Sequence, residues 1–436
     1  MNSYEHSVSL DLSRCTGCTT CLKHCPTEAI RILDGHAQIN PGRCIDCGVC
    51  IRMCPNNAKK ATYSRLDRAL SAKYKIALPA PTLYGQFEDL ENVDYVLQGL
   101  LDIGFDDVFE VSYAAELVSA YTRVYLKTEG VTKPVISSAC PVVLRLISLR
   151  YPTLRDHIMQ MLPPMEVAAR MARERAMEAH PELSREDICV CFISPCPAKV
   201  SYVRNGFGDY RSEVDEVLSI SDVYFSLINV MRRAKEPLPL SDSGKIGVSW
   251  ATTGGEASAL FNDKYLAADG IENVNRVLEQ LDNGNISGLE FIELNACPAG
   301  CVGGAMTVEN PFVAKARLHT LRHYLPVSQA TLRDEEKDFI PQSYFFDKLP
   351  NYMPIQRLSE NFGESLRMMS EIQKLHANLP GIDCGACGAP NCRAFAEDVI
   401  RGNAEVSGCV ILRNQQLNLQ LEGLLKQKED SEHDGT

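Results

Sequence analysis

Eighteen cysteines stand out in a chain of 436 residues. A thiolate is a soft metal ligand, so the spacing of these residues decides which chemistry is open to them. Eight lie between Cys15 and Cys54. Six are scattered as Cys140, Cys189, Cys191, Cys196, Cys297 and Cys301, and the last four are Cys384, Cys387, Cys392 and Cys409. The first eight repeat one pattern, C-x2-C-x2-C-x3-C-P, in CTGCTTCLKHCP (Cys15 to Pro26) and CIDCGVCIRMCP (Cys44 to Pro55). Three thiolates on a tight loop can cap one face of an iron–sulfur cube. The fourth ligand must come from elsewhere, and the proline ends the local helix and redirects the chain. Two full copies of the pattern disfavour zinc or a disulfide framework.

The duplicated run resembles the dicluster ferredoxin domain over about Ser7 to Tyr63, in which the fourth cysteine of each run serves the other cluster. The resemblance implies one 4Fe–4S cluster on Cys15, Cys18, Cys21 and Cys54 and a second on Cys44, Cys47, Cys50 and Cys25. Such a module carries single electrons and is not itself the reaction site. The last four cysteines, C-x2-C-x4-C-x16-C in DCGACGAPNCRAFAEDVIRGNAEVSGC, resemble the small four-cysteine iron–sulfur domain of corrinoid iron–sulfur proteins and some electron-transfer complexes. That implies a third 4Fe–4S cluster on Cys384, Cys387, Cys392 and Cys409, with four-thiolate zinc as the alternative. A helix is expected to start after Pro390 and carry Cys392.

Cys140 lies in SSACP, Cys196 in SPCPAK, and Cys297 with Cys301 in NACPAGCVGGA. The C-P-A-G-C segment puts two thiolates on one turn, as a metal-ligand pair requires. Four scattered cysteines alone are a moderate signal, because buried cysteine is common. Cys189 and Cys191, alternating along an apolar strand, fit that bland role. Taken together, S-S-A-C-P (Ser137 to Pro141), S-P-C-P-A-K (Ser194 to Lys199) and A-C-P-A-G-C-V-G-G-A (Ala296 to Ala305) resemble, in order, the three motifs of the FeFe-hydrogenase H-domain. ALPAPTLYGQF (Ala77 to Phe87), GFDDVFEVSYAAEL (Gly104 to Leu117) and ATTGGEASAL (Ala251 to Leu260) support the match, over roughly Ala77 to Met306.

The resemblance implies an H-cluster. Its 4Fe–4S cube would be held by Cys140, Cys196, Cys297 and Cys301, and Cys301 would bridge to a two-iron subsite bearing CO, CN and an azadithiolate. Lys199 would donate a hydrogen bond to one cyanide, and Pro81 and Thr82 match the family's Pro-Ser at the other. The implied reaction is H2 = 2 H+ + 2 e-. Three departures qualify it. The family's proton-donating cysteine is Ala139 here, and two methionines near the two-iron subsite are Ser194 and Asn295. Alanine before the ligand cysteine, together with the C-terminal four-cysteine domain, resembles the sensory lineages of the family, although no PAS domain follows. The expectation is an FeFe hydrogenase with slow turnover used for H2 or redox sensing. Glu256 is the candidate replacement proton carrier, with Ser194 and Tyr202 as weaker hydroxyl relays; the bland reading of Glu256 is an exposed, ion-paired glutamate. The competing expectation is a hydrogenase-like iron–sulfur scaffold or electron-transfer protein lacking the two-iron subsite.

The elements that must position these residues follow from periodicity. KYKIALPA and DICVCFISPC read as buried strands, DDVFEVS as strand-like, VDYVLQGLLDIG as a helix, and KIGVSWATT as another short β-branched run. Strands alternating with helices indicate an α/β domain. The expected fold is an α/β H-domain of FeFe-hydrogenase type, two lobes of mixed, largely parallel sheet with flanking helices. An N-terminal α+β dicluster ferredoxin-like domain and a small C-terminal helical iron–sulfur domain complete it. The divisions are residues 1–63 for the ferredoxin-like domain, 64–350 for the H-domain, 351–409 for the C-terminal cluster domain and 410–436 for a helical tail. DFIPQSYFFDKLPNYMPIQRL reads as a linker or wrapping segment, and ESLRMMSEIQKLHANLP as a helix. In the tail, Val410, Leu417, Leu421 and Leu424 follow a short a/d seam, which could make a homodimer, dock on a partner or pack back on its own domain.

The formal net charge of -12 disfavours nucleic acid and anionic membranes as partners. The N-terminus lacks a signal-peptide pattern, so a cytoplasmic location with reduced thiols is expected. ATTGGEAS lacks the G-x-G-x-x-G of dinucleotide binding. Expected partners are H2 and protons, a redox partner such as ferredoxin or a signalling protein, and the maturation enzymes of the two-iron subsite.

Overall fold

The computed structural model describes residues 4–206, 208, 210–233, 236–330, 332, 339–346 and 358–433. The chain divides into two compact units. One comprises Met1–Ser9, Ile45–Gly48 and Lys60–Pro354, the other Leu10–Cys44, Val49–Lys59 and Ile355–Thr436.

The first unit contains two parallel sheets. β1 (Tyr74–Pro79), β2 (Asp107–Val108), β3 (Val135–Ile136), β4 (Ile188–Ser194), β5 (Glu216–Ser219), β6 (Tyr265–Asp269) and β7 (Phe291–Asn295) supply them. The larger has the order β2-β1-β4-β5 and the smaller β6-β7-β3. All their pairings are parallel. Strands buried on both faces need apolar runs rather than alternation, and β4 (ICVCFIS) is such a run. Its Cys191 is buried and its Cys189 half-buried, with the two Sγ atoms 3.6 Å apart.

Helices α1 (Asp94–Asp102), α2 (Val111–Tyr125), α3 (Pro141–Arg150), α4 (Pro164–Ala179) and α5 (Pro197–Asn205) link and cover the strands. DDVFEVS is strand only at Asp107–Val108, and α2 begins at Val111. KIGVSWATT is not a strand: Lys245–Ser249 forms a short helix, α6. The reason is tertiary. The buried Glu116 carboxylate on α2 accepts the N–H groups of Gly244 and Gly247, and a Cβ on Gly247 would lie 2.0 Å from Ser112 O. That close approach overrides the β-propensity of the run.

The second unit contains the hairpin Ile30–Leu33 with His36–Ile39 and the helices α7 (Phe362–Asn378), α8 (Cys392–Ile400) and α9 (Val410–His433). α8 starts where expected, with Asn391 capping it by accepting Ala394 N–H at 2.7 Å. Arg31 pairs with Asp398 and Arg43 with Glu397, each at 2.6 Å, so the C-terminal cysteine module packs on part of the first one. Leu417, Leu421 and Leu424 of the seam are exposed. Of the expected linker, only 339–346 and 358 fall within the described residues.

Candidate active site

The predicted residues of the first unit gather at the C-terminal ends of the parallel strands, where open α/β sheets place their ligands. β1 leads to Pro81 and Thr82, β3 to Ser137–Cys140, β4 to Ser194–Lys199 and β7 to Asn295–Cys301. The Cys-Pro pairs have a local cause. Cys140 and Cys196 occupy the N-cap positions of α3 and α5, and Pro141 and Pro197 are the first helical residues. Proline suits that position, and a helix N-terminus favours a thiolate.

The third motif turns sharply. Ala299 and Gly300 have φ of 62° and 96°, and a Cβ on Gly300 would lie 2.6 Å from Thr253 N. The ATTGG loop docks here through Thr253 N–H to Ala299 O (3.1 Å) and Val302 N–H to Ala251 O (3.1 Å). Gly304 lets the third motif meet the second, for a Cβ there would sit 2.1 Å from Pro195 O.

A cleft of about 600 Å³, partly open to solvent, lies among these loops. Pro81, Thr82, Ala139, Lys199, Glu256 and Cys301 all line it. Of the four candidate cube thiols, Cys301 alone lines the cleft. Burial pushes the Cys301 thiol up to about 11; the Lys199 ammonium opposes this, and Cys140, Cys297 and Glu293 add to it. Burial likewise raises Cys196 strongly, with Cys297 next and Lys199 opposing. Four mutually repelling sulfurs beside one cation are a donor set that a soft polynuclear metal centre would satisfy as thiolates. Thr82 Oγ1 is also buried without a hydrogen-bond partner among the described residues. A buried hydroxyl in that state needs an acceptor, as an anionic diatomic ligand would be. The residues therefore fit an iron–sulfur group of the H-cluster kind, for which Cys140, Cys196, Cys297 and Cys301 would be the sulfur donors and Thr82 and Lys199 the hydrogen-bond donors at the cleft wall.

Glu256 is buried rather than exposed and ion-paired. The Ser137 hydroxyl lies 2.6 and 2.8 Å from its carboxyl oxygens. Burial pushes Glu256 well above the usual carboxyl range, and Glu293 pushes it further. Glu293, on β7, went unnoticed in the sequence; its only signal was an acid inside the apolar run FIELN. It lines the same cleft and accepts three N–H groups, from Gly254 (2.9 Å), Ala257 (2.8 Å) and Asn295 Nδ2 (2.7 Å). Burial raises Glu293 too, but those donors oppose it, so of the two acids Glu256 is pushed further up. Trp250, Phe192 and Met165 form further wall, a role that apolar residue types do not announce. Lys199 Nζ sits 5.4 Å from the Phe192 ring centre, a cation–π contact.

Ser194 does not line the cleft. It accepts Cys196 N–H at 3.2 Å and donates to Cys196 O at 3.1 Å, holding the turn that carries Cys196. Tyr202 is buried one turn beyond Lys199, also off the cleft wall. In the second unit, Cys15, Cys18, Cys21 and Cys54 line one cavity and Cys384, Cys387, Cys392 and Cys409 another. Cys25, Cys44 and Cys50 belong to this unit and Cys47 to the first.

Comparison with known proteins agrees with this layout. The family model "Iron only hydrogenase large subunit, C-terminal domain" matches residues 73–265 and 256–305. A 4Fe-4S dicluster domain matches residues 7–55 and an Fe-S cluster domain residues 379–411. One component of the ion-translocating oxidoreductase complex of Rhodobacter capsulatus is 47% identical over 46 residues, covering 11% of this chain and 23% of that protein. Its Thiobacillus denitrificans counterpart is 43% identical over 37 residues, 8% and 20% of the two chains. The chain thus spans about a quarter or less of the length of these curated relatives. Among solved structures, the FeFe-hydrogenase HydA(deltaEFG) is 17% identical with a TM-score of 0.44, covering 63% of this chain and 89% of that one. A variant of HydA1 from Chlamydomonas reinhardtii is 17% identical with a TM-score of 0.43, covering 63% and 90%. With more than half of its residues inside that first family model, and that model's loops converging on one cleft, the chain belongs to the iron-only hydrogenase large-subunit family.

Proposed function

We propose that the chain holds an H-cluster and interconverts H2 with two protons and two electrons at a slow rate, in a sensing role for H2 or redox state. The observation that carries this reading is the exposure of Cys301, alone of the four cube thiols, to a cleft also lined by Lys199, Pro81 and Thr82. When bound, the cluster supplies the metal site at which H2 splits and the acceptor for its electrons.

The chain's own residues do the rest. Lys199 and Thr82 line the cleft and would donate hydrogen bonds to the bound group, fixing its orientation. Phe192, Trp250 and Met165 limit water in the cleft. Glu256 carries a proton to and from the cleft, with Ser137 as its hydroxyl partner. Ala139 has no proton to exchange, so the step beside the cluster is the slow one. Cys15, Cys18, Cys21 and Cys54; Cys44, Cys47, Cys50 and Cys25; and Cys384, Cys387, Cys392 and Cys409 would hold three accessory 4Fe–4S clusters, which would supply a path for electrons to a ferredoxin or signalling partner. Cytoplasmic maturation enzymes supply the two-iron subsite. Among the described residues, no helix is long and apolar enough to cross a membrane.

Infrared spectroscopy of the maturated full chain tests this directly. Metal-bound carbonyl and cyanide bands that respond to H2 are expected. A chain that carries its full cube iron yet shows no such bands is instead the scaffold or electron-transfer protein.

A further inference from the structure

The duplicated cysteine runs continue into duplicated turns. Ala29 N–H donates to Cys25 Sγ at 3.2 Å, and Ala58 N–H donates to Cys54 Sγ at 3.2 Å. The residue before each alanine, Glu28 and Asn57, has positive φ, 53° and 49°. The two halves therefore match residue by residue, and the position after each alanine is buried in both: Ile30 at 2% exposure and Lys59 at 3%. One half holds an alkyl group where the other holds an ammonium.

Lys59 lines the cavity formed by Cys15, Cys18, Cys21 and Cys54. Its Nζ is fully enclosed and makes no hydrogen bond among the described residues. A buried charge is costly unless it is compensated, and the other charge-bearing groups lining that cavity are the four sulfurs. A four-thiolate 4Fe–4S cluster is anionic and gains one further negative charge on reduction. A fixed cation beside it stabilises the reduced form more than the oxidised one.

We propose that Lys59 is a positioning residue for electron transfer. It raises the reduction potential of the cluster held by Cys15, Cys18, Cys21 and Cys54 above that of its repeat-related partner, so that an electron entering the pair rests on the Lys59 side. The step moves one electron from a low-potential one-electron donor of the ferredoxin type, which is oxidised, to the cluster, which is reduced, with no bond made or broken and no proton taken up. The proposal goes beyond the hydrogenase reading and rests on the two-cluster assignment of residues 7–55.

The test is a dithionite–mediator redox titration of the full chain, reconstituted with iron and sulfide but without the two-iron subsite, followed by electron paramagnetic resonance. Iron and sulfide counts show first whether the clusters are present, so a failure of the two-cluster assignment is seen separately. Lys59→Met should move one reduction step to lower potential, changing the reduced-to-oxidised ratio at fixed potential about tenfold, or 59 mV for one electron. Lys59→Arg should keep that step near its original place. Ile30→Lys should raise a different step. The proposal is overturned if Lys59→Met, with full iron, titrates like the parent, or if Met and Arg move the step equally. Should Lys59→Met lose iron, Ile30→Lys decides: no step moving upward overturns the proposal.

Discussion

Ser137 Oγ lies 2.6 Å from Glu256 Oε2 and accepts the backbone N–H of Ala139 at 3.1 Å. One hydroxyl thus joins a buried acid to Ala139 on the wall of the cleft. Positioned proton carriers typically contribute about 10²–10⁴-fold to a rate. Glu256→Gln should therefore lower H2 evolution by about a hundredfold while leaving iron content unchanged. Ala139→Cys should raise evolution only partly, because the thiol enters the cleft but still depends on Ser137 and Glu256. Gas-evolution assays on maturated protein check both. Unchanged activity in Glu256→Gln would remove Glu256 from the path.

The same acid makes stability depend on pH. Glu256 has a folded pKa raised by burial and by Glu293. Its contribution to stability is full below the unfolded carboxyl range and is lost as pH rises toward the folded value. Glu256→Gln removes the titrating group. Its stability relative to the parent should therefore improve steadily from about pH 4.3, the unfolded glutamate value, upward. Denaturant unfolding at a series of pH values measures this, and a constant difference between the two proteins would contradict it.

Gly304→Ala should break the contact between the second and third motifs. Its Cβ would meet Pro195 O at 2.1 Å, and Pro195 adjoins Cys196, one of the four proposed cube cysteines. Overpacking of this kind costs about 1–3 kcal/mol, and here it also displaces Cys196 from Cys301. Iron should fall along with the thermal midpoint. Gly423→Ala, where nothing lies within 4 Å, should leave iron intact.

Two cysteine replacements separate the cluster sites spectroscopically. Cys301→Ser should abolish the carbonyl and cyanide bands, because the two-iron unit loses its bridge to the chain. Cys384→Ser should lower iron while leaving those bands in place. Survival of the bands in Cys301→Ser would refute the bridge, and unchanged iron in Cys384→Ser would mean that this module binds zinc or nothing.

The cysteine spacing was readable directly because metal ligation confines ligand type and separation to short local motifs. So were the apolar strands β1 and β4, whose burial on both faces is written into continuous hydrophobic runs. The helical state of Lys245–Ser249 was not, because it depends on Glu116, 128 residues before Gly244, capturing two backbone N–H groups. Glu256 could be nominated from its place after paired glycines. Whether it sat in water or in the protein was decided by the folding of Ser137 and Glu293 around it. A carboxyl group's chemistry is set by its dielectric surroundings and neighbours, and those come from segments far apart in the chain. The contrast between Ile30 and Lys59 stands in the sequence for anyone aligning the two halves. That both side chains are buried, with the lysine enclosed beside four sulfurs, was decided by tertiary packing alone, since a lysine ordinarily extends its charge to water.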